Sequence, residues 1–252
     1  MRDRLQKTAS LICCLLSLII SPLMSLHIIS VGGSLIVPQE KPNAAFLASL
    51  RDLLTGFVQR GDRFVLVTGG GKTARVYIDA AKGVTDLVND DLDWLGIHAT
   101  RLNGHLLRTI FRDVAHPIVI KHPLATPLVE NWKGSVLVAA GWKPGRSTDY
   151  VACRIAKRLG EKTVINLSNI AKVYTGDPKK DPSAKPRDEM GWKEYRKMVG
   201  NTWSPGLSAP FDPVASRFCE KHGMRAVVMS GMRMEPLLEY LIGKTVDGTI
   251  LQ

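Results

Sequence analysis

Short apolar runs alternate with longer stretches of helical periodicity from residue 26 onward, and this alternation strongly constrains the fold. Buried strands that alternate with helices are typical of a parallel sheet covered by helices, so the sequence predicts an α/β fold. Six runs bounded by glycine or proline are predicted as strands: 26–31, 63–68, 117–121, 136–140, 163–167 and 225–229.

Two long helices are predicted between these runs. The first covers residues 43–60, because Pro42 and Asn43 are typical of a helix start and Gly61 of a helix end. The second covers residues 90–113 and contains Gly96 and Gly104. Glycine destabilises a helix interior, so we expect close packing or ligand approach at both positions.

Three glycines, Gly69-Gly70-Gly71, lie between the second predicted strand and the helix that follows it. Glycine lets backbone N–H groups approach an anion, and the positive end of the helix favours the same place. The motif is not a Walker A loop, because Leu66 stands where that loop requires its first glycine. The sequence therefore predicts a phosphate site of another kind.

The charge of the chain also favours small anions as ligands. The net charge is +11 in 252 residues, but lysine and arginine are scattered and form no nucleic-acid-binding arm, so nucleic acid is the weaker alternative. The four cysteines show no metal-ligand spacing, which argues against structural zinc and a disulfide framework. Cys153 and Cys219 are expected to pack on helices.

Several motifs occur in an order and spacing that match one family. The chain resembles the UMP kinase family of the amino acid kinase superfamily, most closely its archaeal-like branch. The matching motifs are Gly32-Gly33-Ser34, Gly69 to Arg75, Asp93 to Asn103, Gly141 to Asp149, Val173 to Pro178 and Phe211 to Ala215.

The resemblance implies a three-layer α/β/α sandwich with a mainly parallel central sheet, and transfer of phosphate from ATP to UMP. By the same resemblance, residues 24–252 form one kinase domain in which about 24–160 hold the acceptor nucleotide and about 161–252 hold ATP. Mg²⁺ would enter with ATP, and no residue of the chain is predicted as a metal ligand. The partners implied are ATP, UMP and other copies of the chain, in a homo-oligomer that is a hexamer in relatives.

The resemblance assigns the acceptor site to two segments and a helix. Backbone donors at Gly70 and Gly71 and the guanidinium of Arg75 would hold the UMP phosphate. Asp93 would accept hydrogen bonds from the ribose hydroxyls, and Thr148 would contact the nucleotide. Thr100 and Asn103 either face this site or are satisfied interior polar groups.

The catalytic and donor residues follow from the same resemblance. Gly32, Gly33 and Ser34 would contact the transferring phosphoryl group, and Asp149 would organise the catalytic groups. Arg217 is a candidate for a cation that compensates for a lysine that many superfamily kinases carry before the glycine pair and that this chain lacks. Lys143 and Arg146 are further candidates for transition-state charge. The ATP-binding candidates are Asn169, Tyr174 and Asp177.

One departure from the family lies in the ATP segment. Relatives carry Val-Asp-Gly before the Val-Tyr pair, whereas this chain has Ile170-Ala171-Lys172, and Lys172 is a candidate to reach an ATP phosphate. Two alternatives stay open. The acceptor could be isopentenyl phosphate or carbamate, or the chain could be a non-catalytic nucleotide-binding relative.

The first 23 residues read as a separate leader. Residues 1–7 are basic and residues 8–26 carry no charge, as in a signal peptide or a short membrane span, but a small-residue cleavage site is missing. The apolar run merges with the first predicted strand, so Met24 is a candidate start. We expect the cytoplasm as the compartment, because export would separate the enzyme from ATP; membrane association through the leader stays open.

Overall fold

A seven-stranded sheet forms the centre of the computed structural model, which describes residues 24–124, 129, 131–178, 181–204 and 209–252. The predicted leader lies outside these residues. The strands are β1 (Leu26–Val31), β2 (Arg63–Thr68), β3 (Val136–Ala139), β4 (Thr163–Ser168), β5 (Val173–Tyr174), β6 (Pro186–Arg187), β7 (Glu189–Met190), β8 (Arg225–Ser230) and β9 (Thr249–Leu251). The helices are α1 (Gly33–Ile36), α2 (Ala44–Gln59), α3 (Gly71–Lys82), α4 (Asn89–Ile110), α5 (Thr148–Arg158), α6 (Trp192–Val199), α7 (Pro213–Lys221) and α8 (Glu235–Leu241).

The strand order in the sheet is β3-β2-β1-β4-β8-β9-β7. The neighbouring pairs are parallel except β8 with β9, which is antiparallel. Strands β5 and β6 form a separate two-stranded hairpin. The mainly parallel sheet predicted from the sequence is therefore confirmed.

Helices cover both faces of this sheet, because successive residues of a strand point to opposite sides. Ile28 belongs to a core shared with Val151 of α5 and Ala215 of α7, whereas its neighbour Ile29 packs in a second core with Leu50 of α2. These two cores separate three layers, and they confirm the α/β/α sandwich. Among the described residues, no helix is both long enough and apolar enough to cross a membrane.

The strand predicted at residues 117–121 is wrong. The chain contacts β3 there only through single bridges, from Ala115 to Val136 and from Ile120 to Ala139, and it bends between them. Pro117 lies in this bend, where it has no N–H to offer to a ladder. The short strands β7 and β9 were not predicted, because two or three residues carry too little pattern.

The two glycines of α4 differ. A Cβ added at Gly104 would lie 3.1 Å from Val119 Cγ1 and 3.3 Å from Thr68 Oγ1, so the predicted close packing is confirmed there. A Cβ at Gly96 would meet nothing within 4 Å, so close packing is excluded at that position and ligand approach stays a prediction.

Cys153 and Cys219 pack on helices as expected. Both thiols are buried, on α5 and α7, and their sulfurs lie 3.3 Å apart. Burial raises the pKa of the Cys153 thiol well above its ordinary value.

Candidate functional site

The carboxyl ends of the central strands bring the predicted site residues to one edge of the sheet. Val31, the last residue of β1, pairs in parallel register with Thr68 of β2 and with Leu167 of β4. The turns that follow these strands therefore begin at the same level. In open parallel sheets, this carboxyl edge is where ligands bind.

Two glycine turns, residues 32–34 after β1 and residues 69–71 after β2, lie in direct contact. A Cβ added at Gly33 would lie 2.0 Å from the backbone nitrogen of Gly71, and one added at Gly71 would lie 2.2 Å from the carbonyl oxygen of Gly33. Gly71 also has a φ of 63°, in the left-handed region that favours glycine. Only glycine fits these positions without displacing backbone, and the two turns lie side by side at the edge of the sheet.

Buried polar side chains of α4 hold the second glycine turn. Asn103 Nδ2 donates to the carbonyl oxygens of Gly69 at 2.8 Å and Gly70 at 3.2 Å. Thr100 Oγ1 donates to the Ile97 carbonyl and accepts from the Gly141 backbone N–H at 2.7 Å. Both side chains are therefore satisfied interior groups, and Asn103 positions the turn.

Asp149 connects three elements beside the glycine turns. Its Oδ1 accepts hydrogen bonds from Ser30 Oγ of β1 at 2.8 Å and Asn166 Nδ2 of β4 at 2.9 Å, and its Oδ2 accepts from the backbone N–H of Asp212 at 3.2 Å. Desolvation raises the pKa of Asp149, and these three hydrogen bonds act in the opposite direction. Ser30, two residues before the glycine pair, thus offers a neutral hydroxyl, which binds the carboxylate without adding charge.

Asp212 is a second buried carboxylate near Asp149, and sequence reasoning missed it as a site residue. Its Oδ1 caps α7 by accepting from the Ala215 N–H at 2.5 Å. Its buried Oδ2 makes no hydrogen bond of normal geometry with a described residue, although the nearby Ser147 hydroxyl acts to lower its pKa. Desolvation, with repulsion from Asp149, nevertheless raises the pKa of Asp212 to about 7. The only sequence signal was an N-cap residue before Pro213.

A tyrosine fixes the backbone that carries Asp212. The Tyr195 hydroxyl of α6 bonds to both the N–H and the carbonyl of Phe211, each at 2.6 Å. Burial raises the pKa of Tyr195 well above its ordinary value, so the hydroxyl stays protonated and serves as a donor. The position of Asp212 therefore depends on a buried contact from another helix.

The loop between β3 and α5 approaches Asp93. The Gly145 backbone N–H donates to Asp93 Oδ2 at 2.7 Å, and the Trp203 indole N–H lies 3.1 Å from both carboxylate oxygens. Arg101 fixes the start of the loop by donating to the Gly141 and Trp142 carbonyls. Trp203 was not predicted, and no local pattern in the sequence points to it.

The remaining acceptor candidates lie along the same edge. Thr148 is the first residue of α5, whose N-cap Ser147 accepts from the Tyr150 N–H at 3.1 Å. Arg75 is exposed on α3, which begins at the second glycine turn. Ser34 is half-buried in the short helix α1. Their predicted contacts to phosphate stay predictions.

The donor candidates are less enclosed. Asn169 and Asp177 are exposed and Tyr174 is half-buried, all in or beside the segment from the end of β4 to residue 178. Arg217 is exposed in the middle of α7, and its predicted role stays a prediction. Lys172 forms an ion pair with Asp188, so the structure shows it bound to a carboxylate of the chain itself.

The cations of the 141–147 loop rest on aromatic rings. Lys143 Nζ lies 4.5 Å from the centroid of the Trp142 ring, and the Arg146 guanidinium lies 5.1 Å from that of Tyr150. Arg146 also donates to the Gly145 carbonyl at 2.6 Å. Positive charge is therefore held close to the N-terminus of α5.

This arrangement combines backbone anion-binding turns, a buried pair of carboxylates and nearby cations at the carboxyl edge of a parallel sheet. Fold and site together define an α/β protein suited to bind phosphate groups. The chain belongs to the amino acid kinase family, whose sequence profile matches residues 25–230.

Relatives in this family extend over nearly the whole chain. A uridylate kinase from Methanococcoides burtonii is 34% identical, over 88% of this chain and 93% of its own length. A uridylate kinase from Pyrococcus abyssi is 33% identical, over 88% and 98%. The crystal structure of uridylate kinase from Archaeoglobus fulgidus has a TM-score of 0.75 and 27% identity, and the match covers 91% of this chain and 100% of that one.

Proposed function

We propose that this chain transfers the γ-phosphoryl group of ATP to UMP, forming UDP and ADP. The observation that carries the proposal is the contact between the two glycine turns beside Asp149, where two phosphate groups can be held against each other. The relatives named uridylate kinase, which match almost end to end, support the choice of substrates.

This reaction makes modest chemical demands on the protein. The attacking phosphate oxygen of UMP is already deprotonated at neutral pH, so no strong general base is needed. Catalysis then consists of alignment and of charge stabilisation in the transition state. Rigid backbone donors and fixed cations, rather than a titrating base, are the residues that such a site requires.

The acceptor site is assigned to the part formed by residues 24–160. Gly70 and Gly71 would donate backbone N–H groups to the UMP phosphate, at the N-terminus of α3, whose dipole favours an anion. Arg75 lies one turn further on the same helix and would bind the phosphate through its guanidinium. Thr148 would add a contact at the start of α5, and Asp93 would accept from the ribose hydroxyls.

The donor site is assigned to the first glycine turn together with residues 161–252. Gly32, Gly33 and Ser34 would bind the transferring phosphoryl group of ATP. The adenosine moiety would lie against the segment that holds Asn169, Tyr174 and Asp177, where the half-buried tyrosine ring offers an apolar surface.

Asp149 is assigned a positioning role between the two sites. It binds Ser30, two residues before the first glycine turn, and the backbone N–H of Asp212. It therefore fixes β1 and the start of α7 relative to α5. Arg217, Lys143 and Arg146 are the candidates for transition-state charge, and all three lie on elements that begin or end at this edge.

The residues at this edge fit the magnesium ion that accompanies ATP in kinases. Mg²⁺ is commonly held by one or two carboxylates together with substrate phosphates. Asp212 Oδ2 is buried without a hydrogen bond of normal geometry to a described residue, so it is a suitable ligand, and Asp149 is its carboxylate neighbour. When bound, the ion would neutralise charge on the transferring phosphates.

A coupled ADP-release assay over UMP, CMP, 2′-deoxy-UMP, isopentenyl phosphate and carbamate tests the proposal. We expect UMP to give the highest kcat/KM, and Asp149→Asn protein purified in parallel controls for contaminating kinases. Preference for isopentenyl phosphate or carbamate would refute the acceptor. Tight nucleotide binding without turnover would favour a non-catalytic relative.

We further propose that the chain assembles with copies of itself, as the resemblance implies. Helices α3 and α4 present apolar side chains to solvent, including Tyr77 at 62% exposure and Leu102 at 62%, and these residues line a groove together with Trp94. Exposed apolar patches of this kind mark interaction surfaces. Light scattering at micromolar concentration should report an oligomer, and Tyr77→Lys should dissociate it; a monomeric wild type would refute the proposal.

The proposed compartment is the cytoplasm, where ATP is available to the enzyme. Fractionation of cells that produce the full chain, with an antibody against it, tests this. Recovery in the membrane fraction would point to an anchoring leader instead.

A further inference from the structure

The indole ring of Trp203 lies against the carboxylate of Asp93, although the two residues are 110 positions apart in the sequence. Trp203 Nε1 is 3.1 Å from Oδ1 and 3.1 Å from Oδ2, so one N–H is shared equally by both oxygens. The contact joins the part of the chain assigned to the donor with the helix assigned to the acceptor.

This position of the N–H blocks one edge of the carboxylate. A donor equidistant from both oxygens lies between them, and the Gly145 N–H already binds Oδ2 at 2.7 Å. A vicinal diol, such as the 2′,3′-diol of a ribonucleotide, would donate one hydrogen bond to each oxygen across that same edge. The indole and the diol therefore compete for Asp93.

The surroundings of Trp203 single it out. Its neighbours Asn201, Thr202 and Ser204 are exposed, whereas Trp203 itself is half-buried. The segment follows Gly200, whose φ of 80° lies in the left-handed region and ends α6. An otherwise solvent-facing stretch thus directs one aromatic side chain to a charged group of the acceptor site.

We propose that Trp203 is a positioning residue whose indole N–H binds the Asp93 carboxylate when the acceptor site is empty. The indole has to move away before a ribonucleoside monophosphate binds. The inference rests on the proposed function, because it takes Asp93 as the sugar-binding carboxylate. A site that is open only part of the time has its apparent affinity reduced by the open fraction. Trp203 therefore sets the KM for the acceptor without contacting the reacting atoms.

The test compares Trp203→Phe with wild type in steady-state kinetics. Phenylalanine keeps an aromatic ring but removes the N–H, so we expect the KM for UMP to fall roughly three- to tenfold. The kcat and the KM for ATP should stay within about twofold, because the change acts on acceptor binding alone. The KM for 2′-deoxy-UMP should fall less, since one hydroxyl needs only one oxygen of Asp93.

Trp132→Phe is the matched control. Trp132 packs against Arg63 at the start of β2, at the amino edge of the sheet and far from the glycine turns, so this substitution should leave the KM for UMP unchanged. Binding of UMP should also change the tryptophan fluorescence of wild type and of Trp132→Phe, and this change should be much smaller in Trp203→Phe.

Two results would overturn the inference in different ways. An unchanged or higher KM for UMP in folded Trp203→Phe protein, or an equal fall for UMP and 2′-deoxy-UMP, would refute the role of Trp203 and leave the proposed function intact. If neither wild type nor Trp203→Phe bound UMP or turned it over, the proposed function and this inference would be refuted together.

Discussion

The two glycine turns and the donor segment at residues 169–178 are built in opposite ways. The glycine turns touch through backbone atoms, are held by the buried amide of Asn103 and leave no space for a Cβ. The donor segment holds exposed side chains, and its hairpin is fastened by the Thr249 hydroxyl, which accepts from the Val173 N–H at 2.8 Å. Under the proposed function, phosphate binding would be fixed by backbone, whereas binding of the adenosine moiety would depend on side chains at the surface.

This difference explains why the donor segment tolerates the departure at Ile170-Ala171-Lys172. An exchange in the glycine turns would displace backbone, so the glycines match the family motif there. In the donor segment, Lys172 finds Asp188 as a new partner, and the exchange is absorbed at the surface. The comparison predicts that substitutions will have large effects in the first region and small effects in the second.

Gly33→Ala should have the largest effect. Its Cβ would overlap the Gly71 nitrogen at 2.0 Å, so we expect activity to be lost and the free energy of unfolding to fall by about 3 kcal/mol. Gly96→Ala is the control, because a Cβ there meets nothing within 4 Å and alanine favours a helix by about 0.5–1 kcal/mol. Urea denaturation measures both, and a fully active Gly33→Ala enzyme would refute the tight contact.

Asp149→Asn should come next, with a loss of kcat of roughly a hundredfold or more, the range seen when one preorganised polar group is removed from an active site. The protein should still fold, because the substitution also relieves the desolvation that raises the pKa of this group. Circular dichroism and the ADP-release assay measure the two effects. Near-normal turnover would contradict the role given to Asp149.

The pH dependence of stability should reveal Asp212. Its folded pKa of about 7 lies above the ordinary value of 3.8, so between these values the folded state binds more protons than the unfolded state. The contribution of this group to the free energy of unfolding is therefore fully present below pH 4 and is lost as pH rises. The loss amounts to about 2 kcal/mol between pH 5 and 6.5. Without Mg²⁺ or nucleotide, Asp212→Asn should remove this loss, and an identical pH profile in both proteins would contradict the assignment.

Arg75→Ala should raise the KM for UMP by about tenfold and leave that for ATP nearly unchanged, because a bidentate arginine–phosphate contact is lost on the acceptor side alone. Lys82→Ala, at the far end of the same helix, serves as the control for the charge change. Equal increases in the KM for UMP and the KM for ATP would show that Arg75 does not belong to the acceptor site.

Lys172→Ala should have the smallest effect. Asp188, its partner, is 85% exposed, so the ion pair contributes at most about 1 kcal/mol to stability. We expect the KM for ATP to change by less than about threefold. A large loss of ATP binding would show that the donor segment is as constrained as the glycine turns.

Much of this architecture was predictable from the sequence, for local reasons. The buried strands β1, β2, β4 and β8 are short, mainly apolar runs. Helix α2 carries its own start signal in Asn43, which accepts from the Phe46 N–H. The glycine turns were predictable because their residue type reports a backbone requirement. For Asn103 the sequence left two roles open, a side chain that faces the site or a satisfied interior group, and its spacing from Thr100 allowed both.

The remaining features of the fold and the site could not be predicted, because they depend on contacts between segments that are distant in the sequence. Asp212 was visible only as the start of a helix, and its approach to Asp149 follows from the packing of α7 on α5. Trp203 reaches Asp93 across 110 residues, and a lone tryptophan in a polar stretch carries no periodic signal. A bend at Pro117 lies where a strand was predicted, and Ile120 is the one residue of 117–121 that forms a bridge to β3.

The central claim is that the two glycine turns hold donor and acceptor phosphates head to head, and a bisubstrate ligand tests it most directly. Isothermal titration calorimetry would measure binding of adenosine and uridine joined through five phosphates. We expect one molecule to bind per chain, at least about a hundredfold more tightly than ATP or UMP alone, because one ligand then gains both sets of contacts. Affinity no greater than that of ATP, with UMP still binding to the saturated protein, would contradict the account.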